Sequence, residues 1–263
     1  MQGGLRAVEK KPLPHMLCVT NMLLHGIEDA SFVRHDNTLA RPYISYTNAD
    51  RVDMVLTNPP FGGREEDGIE SNFPAHFRTR ETADLFLALI MRLLKAKGRA
   101  AVVLPDGTLF GEGVKTRLKE QLLAECNLHT IVRLPNGVFA PYTSIPTNVL
   151  FFDRSGPTQD VWYYEHALPE GRKNYTKTQP IQFEEFAGLK AWWGKREENE
   201  RAWKVTAAEL LTNNCNLDRK NPRSKEDITH LPPEQLVESI LAKEKRIIEI
   251  LGEVKALLAK GAA

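Results

Sequence analysis

Apolar positions over the first 153 residues come in short blocks, and their spacing alternates between that of a strand and that of a helix. Leu5–Glu9 is a brief apolar segment ending on a carboxylate. Pro12 and Pro14 open the apolar stretch His15–His25, which Gly26 stops, so the spacing predicts a helix with its glycine terminator. Ser31–His35 reads as a second strand closed by Asp36, and Arg41–Asp50 as a polar loop. Val52–Leu56 is apolar and partly β-branched, the composition of a buried strand. Glu81–Lys97 repeats leucines at helical spacing until Gly98, and Arg99–Leu104 reads as a strand turned by Pro105-Asp106-Gly107. Val114–Glu125 reads as a helix, Thr130–Leu134 as a strand, Pro135–Pro146 as a loop and Asn148–Phe152 as a last buried strand. This alternation predicts an α/β domain over residues 1–153 with a largely parallel sheet.

After Asp153 the pattern changes. Val161–Tyr164 predicts one more strand, Pro169–Pro180 is polar, and Ala191–Trp203 mixes three tryptophans with charge. These rings are expected to pack back on the domain rather than to anchor a partner. Asn213–Pro222 is a turn-rich linker, so 154–222 reads as an extension and linker. Within 223–263, Leu236, Ile240, Ile247, Leu251, Val254 and Leu258 recur at steps of four, seven, four, three and four. That is one apolar seam on a helix of about seven turns, and another chain is its expected cover.

Composition narrows the class. A 42% hydrophobic content over 263 residues suffices for a sizeable core, and 35 basic against 34 acidic residues leave a net charge of only +1. A chain that bound nucleic acid alone would be more basic, so such affinity would come partly from elsewhere. Cys18, Cys126 and Cys215 are odd in number and widely spaced, which favours a reducing cytoplasm and argues against a structural metal. No apolar run reaches 18 residues and no signal peptide is visible, so a soluble cytoplasmic protein without a membrane span is expected.

The chemistry concentrates after Val52–Leu56. Asn58-Pro59-Pro60 halts the strand, because neither proline can donate to a sheet ladder. A polar amide is thereby delivered at a strand end, followed by Phe61 and the permissive Gly62-Gly63. Such a tetrad suits methylation of a conjugated, poorly nucleophilic amine. The Asn58 side-chain oxygen and the Pro59 carbonyl would accept the amine's protons and free its lone pair, while Phe61 would stack on the planar substrate. The plain alternative is a proline turn with Phe61 in the core. Glu9, Asp36 and Asn58 each end a strand, the layout of a nucleotide site, although on spacing alone solvated loop carboxylates fit the first two better. The charged loop Arg64–Arg80 offers Arg64, Arg78 and Arg80 to phosphates, although plain solvated arginines fit them equally.

The tetrad N-P-P-F-G-G resembles the catalytic motif of S-adenosylmethionine-dependent amino-methyltransferases. Ala83–Leu87 (A-D-L-F-L), Gly98–Phe110, Leu134–Phe139 (L-P-N-G-V-F) and Asn216–Pro222 (N-L-D-R-K-N-P) with the terminal helix resemble the modification subunit of type I restriction–modification systems. That resemblance implies an N-6 adenine DNA methyltransferase with a Rossmann-like sheet and a C-terminal helical extension. It places Asn58, Pro59, Pro60 and Phe61 on the catalytic tetrad, Glu9 at the cofactor ribose, Asp36 at the cofactor adenine and Asn58 at the cofactor's reactive end. It implies S-adenosyl-L-methionine as cofactor. The implied partners are double-stranded DNA, a DNA-specificity subunit on the C-terminal helix, and a restriction (translocase/nuclease) subunit. The family's glycine-rich cofactor loop belongs upstream of Glu9, where eight residues stand and Gly3-Gly4 are no substitute. The chain is therefore expected to be a C-terminal portion whose sheet lacks its first, central strand and which is inactive alone. Two other readings compete: an enzyme acting on a cytosine amine or a protein glutamine, and a non-catalytic assembly fragment.

Overall fold

The computed structural model describes residues 4–223 and 233–261. Chain contacts separate a compact unit ending at Arg223 from a second unit that holds the C-terminal helix. The first unit opens with β1 (Ala7–Glu9), α1 (Pro12–Leu24) and β2 (Val33–His35). Proline stands at the start of α1, where its missing N–H costs nothing, and Gly26 takes φ +77° just beyond the end. β1 and β2 pair in parallel as a two-stranded sheet, with Glu9 opposite His35.

A second sheet has the order β3-β4-β6-β5-β7-β8. Its strands are β3 (Val52–Thr57), β4 (Leu94–Pro105), β5 (Asn127–Arg133), β6 (Thr147–Asp153), β7 (Asp160–Glu165) and β8 (Ala202–Thr206). The helices α2 (Thr82–Leu93), α3 (Asp106–Phe110), α4 (Val114–Glu125), α5 (Ala187–Gly194) and α6 (Ala207–Thr212) are interleaved with them. Residues 154–222 thus supply β7 and β8 to the same sheet.

Three features depart from expectation. The sheet is mixed rather than largely parallel. β3–β4 and β5–β7 are parallel, but β4–β6, β5–β6 and β7–β8 are antiparallel. β6 follows β5 through a loop with no crossover helix, and a strand returning that way runs antiparallel. α2 ends at Leu93 instead of Lys97. Arg154 explains the early stop: its guanidinium donates to the carbonyls of Met91 (3.2 Å) and Leu94 (3.3 Å), and Lys97 turns at φ +61° to pair with the Arg154 backbone. Finally, β3 is not a buried strand. It pairs only with β4 among the described residues, and Met54 (50%) and Leu56 (73%), which share one face, are exposed because nothing described covers that face. α1 likewise buries none of its residues, and Leu13, Met16, Leu17 and Leu24 are exposed.

Alternation along the strands sorts the core into two layers. Ile131, Leu150, Phe152 and Tyr163 face a layer containing Leu85 and Leu89 of α2 and Leu118 and Leu122 of α4. Their neighbours Val132, Val149, Phe151 and Tyr164 face Trp192 of α5 on the other side. Trp192 is buried with Trp193 packed beside it, and Trp203 is buried against Tyr163 in the other layer, so the tryptophans do pack back on the domain. In the second unit, α7 (Pro233–Gly261) is a single helix on which Ile240, Ile247, Leu251 and Val254 are exposed. No described helix is long and apolar enough to cross a membrane.

Candidate active site

The carboxyl ends of β1, β2, β3 and β4 carry Glu9, Asp36, Asn58 and Asp106 in turn. Glu9 and Asp36 stand side by side, since the Asp36 N–H donates to the Glu9 carbonyl at 3.1 Å. Each carboxylate is oriented by backbone just ahead of it. The Lys11 N–H donates to Glu9 Oε1 at 2.7 Å, and the Asn37 N–H to Asp36 Oδ1 at 2.8 Å. The second oxygen of each has no partner among the described residues.

Beyond β3 the two prolines force the chain out of the ladder, burying Pro59 while Asn58 stays exposed. Gly62 follows at φ +63°, a turn that a side chain would strain. Phe61 is half-buried but does not enter the main core. Its ring meets Phe139 edge-to-face, with centroids 5.3 Å apart and planes at 79°. Phe139 sits in the loop joining β5 to β6, which is tied down by the bonds Leu134 N–H to Thr147 O and Ala140 N–H to Gly137 O. Gly137 lets that loop approach Tyr175 closely. A Cβ there would lie 2.4 Å from the Tyr175 carbonyl oxygen, and the Tyr175 N–H donates to Asn136 O at 3.3 Å. A cavity of about 250 Å³ runs along the same loop between Asn136, Thr143, Ser144 and Tyr175.

A polar network lies next to this loop. Asn148 at the start of β6 is fully buried and donates from Nδ2 to Asp106 Oδ1 at 2.5 Å. Arg133 forms ion pairs with Asp106 (3.7 Å) and with Asp218 (2.7 Å) of the N-L-D-R-K-N-P segment, which the Tyr163 hydroxyl also ties down through Leu217 O. Nearby, Lys119 is buried and donates to Leu109 O and Gly111 O, closing the end of α3, and burial lowers its pKa to about 8. The sequence alone did not single out Phe139, Asp106, Arg133 or Asn148 as site residues. The one local signal was a polar Asn148 opening an otherwise apolar strand.

The three loop arginines separate. Arg80 pairs with Asp67 at 2.6 Å and donates to Glu65 O, and Arg78 donates from Nε to Phe73 O at 3.3 Å. Arg64 is exposed, and its guanidinium has no partner among the described residues. Of the three, Arg80 alone is ion-paired among the described residues, while Arg78 bonds a neutral carbonyl.

A strand-end Asn-Pro-Pro-Phe with paired aromatics, beside two strand-end carboxylates, points to a methyltransferase, and a sequence profile for N-6 DNA Methylase matches residues 4–230. The chain belongs to this family. The N-6 DNA methylase relatives include the type I restriction enzyme EcoEI methylase subunit of Escherichia coli, 56% identical over 265 residues, an alignment that covers 98% of this chain and 54% of that protein. In solved structures, a modification subunit assigned to a type I restriction enzyme of Vibrio vulnificus YJ016 is 53% identical with a TM-score of 0.80, covering 85% of this chain and 49% of that one. A chain from a study of complex assembly and conformational transition in the type I R-M system is 38% identical with a TM-score of 0.78, covering 96% of this chain and 54% of that one. The α/β fold expected from the sequence is thus the methyltransferase fold of the type I modification subunits. The chain spans about half the length of the curated relatives it matches.

Proposed function

We propose that this chain carries the catalytic tetrad and part of the cofactor edge of an adenine-specific DNA methyltransferase. In that reading it transfers a methyl group to the exocyclic amine of adenine within a type I restriction–modification complex. The observation that carries the reading is Asn58, exposed at the end of β3 beside the Phe61–Phe139 pair. The Asn58 side-chain oxygen and the Pro59 carbonyl accept the two amine hydrogens. This localises the nitrogen lone pair for attack, and Asn58 works as an acceptor rather than a base. Phe61 stacks on the base lifted from the duplex, repaying part of the unstacking cost. Phe139, standing edge-on to Phe61, walls the same space and excludes water.

The donor set fits the adenosine portion of S-adenosyl-L-methionine. The free oxygen of Glu9 suits the ribose hydroxyls, and Asp36 suits the adenine amine. When bound, the cofactor supplies a methyl group on a positively charged sulfur. Of the loop cations, Arg64 would meet a DNA phosphate, with Arg78 and Arg80 holding the loop that carries it. The apolar residues of α7 suit helices of a DNA-specificity subunit, through which a restriction subunit joins the same complex in a reducing cytoplasm. The match to N-6 DNA methylase favours adenine over a cytosine amine or a glutamine carboxamide.

Phe61→Ala tests the stacking role. In the assembled enzyme it should weaken binding of the flipped base by about 1–3 kcal/mol, read from fluorescence of 2-aminopurine at the target adenine. An unchanged flipping signal would make Phe61 a packing residue only.

A further inference from the structure

The residues that follow the two cofactor-edge carboxylates converge on one buried side chain. Lys10, next to Glu9, reaches Glu65 Oε2 at 3.3 Å, and Asn37, next to Asp36, donates from Nδ2 to the same oxygen at 3.3 Å. The other oxygen, Oε1, accepts from the Thr82 hydroxyl at 3.1 Å, at the first turn of α2. Glu65 is 8% exposed, so a carboxylate is held away from water with donors supplied from three separate segments.

Its backbone is fixed as firmly. The Glu65 N–H donates to Arg80 O at 2.9 Å, Arg80 Nη2 returns a bond to Glu65 O at 3.1 Å, and the Thr82 N–H donates to Gly63 O at 3.0 Å. Gly63 itself packs against Thr82, since a Cβ there would stand 3.1 Å from Oγ1. Three residues separate Glu65 from Phe61, so the stretch Phe61–Glu65 is a short, pinned strut between the aromatic of the tetrad and this carboxylate.

β1 and β2 form their own sheet and share no ladder bond with β3. Backbone pairing therefore cannot set the distance from Glu9 and Asp36 to Asn58. Side chains must set it, and the described contact that links both carboxylate segments to the tetrad loop is Glu65. We propose that Glu65 is a positioning residue: its carboxylate registers the cofactor edge, through Lys10 and Asn37, against the Asn58–Phe61 loop. The role rests on the methyltransferase reading, yet it is measured by affinity rather than turnover. Transfer needs donor and acceptor in line, and a small misplacement from a residue outside the chemistry is enough to slow it.

The test uses the assembled modification enzyme and calorimetric titration with S-adenosylmethionine, alongside single-turnover methylation. Glu65→Ala should weaken cofactor affinity about tenfold and slow transfer, by the loss of a charge-assisted link. Lys10 then falls back on Glu66, 3.0 Å away, so the fold should survive. Lys10→Met, at a side chain 36% exposed, should give a smaller loss of the same kind and a less than additive one in the Glu65→Ala background, because the two share the Lys10–Glu65 contact. Glu65→Asp, which keeps the charge, should restore part of the affinity. Lowered melting temperature with wild-type affinity and rate in all three variants would overturn the proposal and leave Glu65 a merely structural residue. Additive losses in the double variant would overturn it as well. Full transfer by Asn58→Ala in the same preparation would instead strike the proposed reaction, and the affinity changes at Glu65 would stand without it.

Discussion

Gly137→Ala perturbs the candidate site from outside the Asn58–Phe61 tetrad. Gly137 takes φ +80°, where an alanine costs about 1–2 kcal/mol. The added Cβ would stand 2.4 Å from the Tyr175 carbonyl oxygen, against 3.4 Å or more for an ordinary contact. Tyr175 is fully buried and cannot retreat, so the loop must move by about 1 Å. Phe139 lies two residues further on and moves with it, away from the Phe61 edge. A displacement of about 1 Å outside the chemistry can cost about 10²-fold in rate. In the assembled enzyme, methylation of a single-site duplex should therefore slow about 10²-fold, with 2-aminopurine fluorescence at the target reduced. Cofactor affinity should hold, because Glu9 and Asp36 lie on the other sheet. Wild-type methylation by a folded Gly137→Ala enzyme would refute the claim that this loop positions an aromatic wall.

The C-terminal seam gives a second expectation: Ile247→Glu with Leu251→Glu should abolish co-purification with the DNA-specificity subunit while the unit ending at Arg223 melts unchanged. Wholesale unfolding would instead mean that the helix serves its own domain. A third concerns pH. Burial, and then the Arg196 charge, lower the His129 pKa from 6.5 to about 4. The unfolded chain takes up this proton before the folded one does, so the contribution is present above pH 6.5 and drains away as pH falls toward 4. Its size is at most about 3 kcal/mol. Urea titrations of the wild type and His129→Gln should converge across that window, and parallel curves would contradict it.

What the sequence made legible was local. The strand end at Asn58-Pro59-Pro60 and the limits of α4 follow from proline chemistry and short-range periodicity, and both appear where expected. The end of α2 did not, because Arg154, about 60 residues away, supplies the guanidinium that stops it. The strand composition of β3 was read correctly and its burial was not. Val52–Leu56 carries the residues of a covered strand, and covering requires side chains packed over the Met54–Leu56 face, which no local pattern reveals. Phe139 and Glu65 could not be picked out as candidate site residues for a similar reason. A phenylalanine in a loop and a glutamate in a charge run gain meaning only from Phe61, 78 positions upstream, and from Lys10 and Asn37. Arg78 and Arg80 looked alike with Arg64 until the loop closed on two of them.

The most direct measurement is single-turnover methyl transfer by Asn58→Ala in the assembled enzyme, with cofactor affinity measured on the same sample. If Asn58 accepts the amine hydrogens at the end of β3, transfer falls by at least about 10²–10³-fold and S-adenosylmethionine binds as in the wild type. Transfer at the wild-type rate would contradict the assignment of this strand end as the catalytic centre.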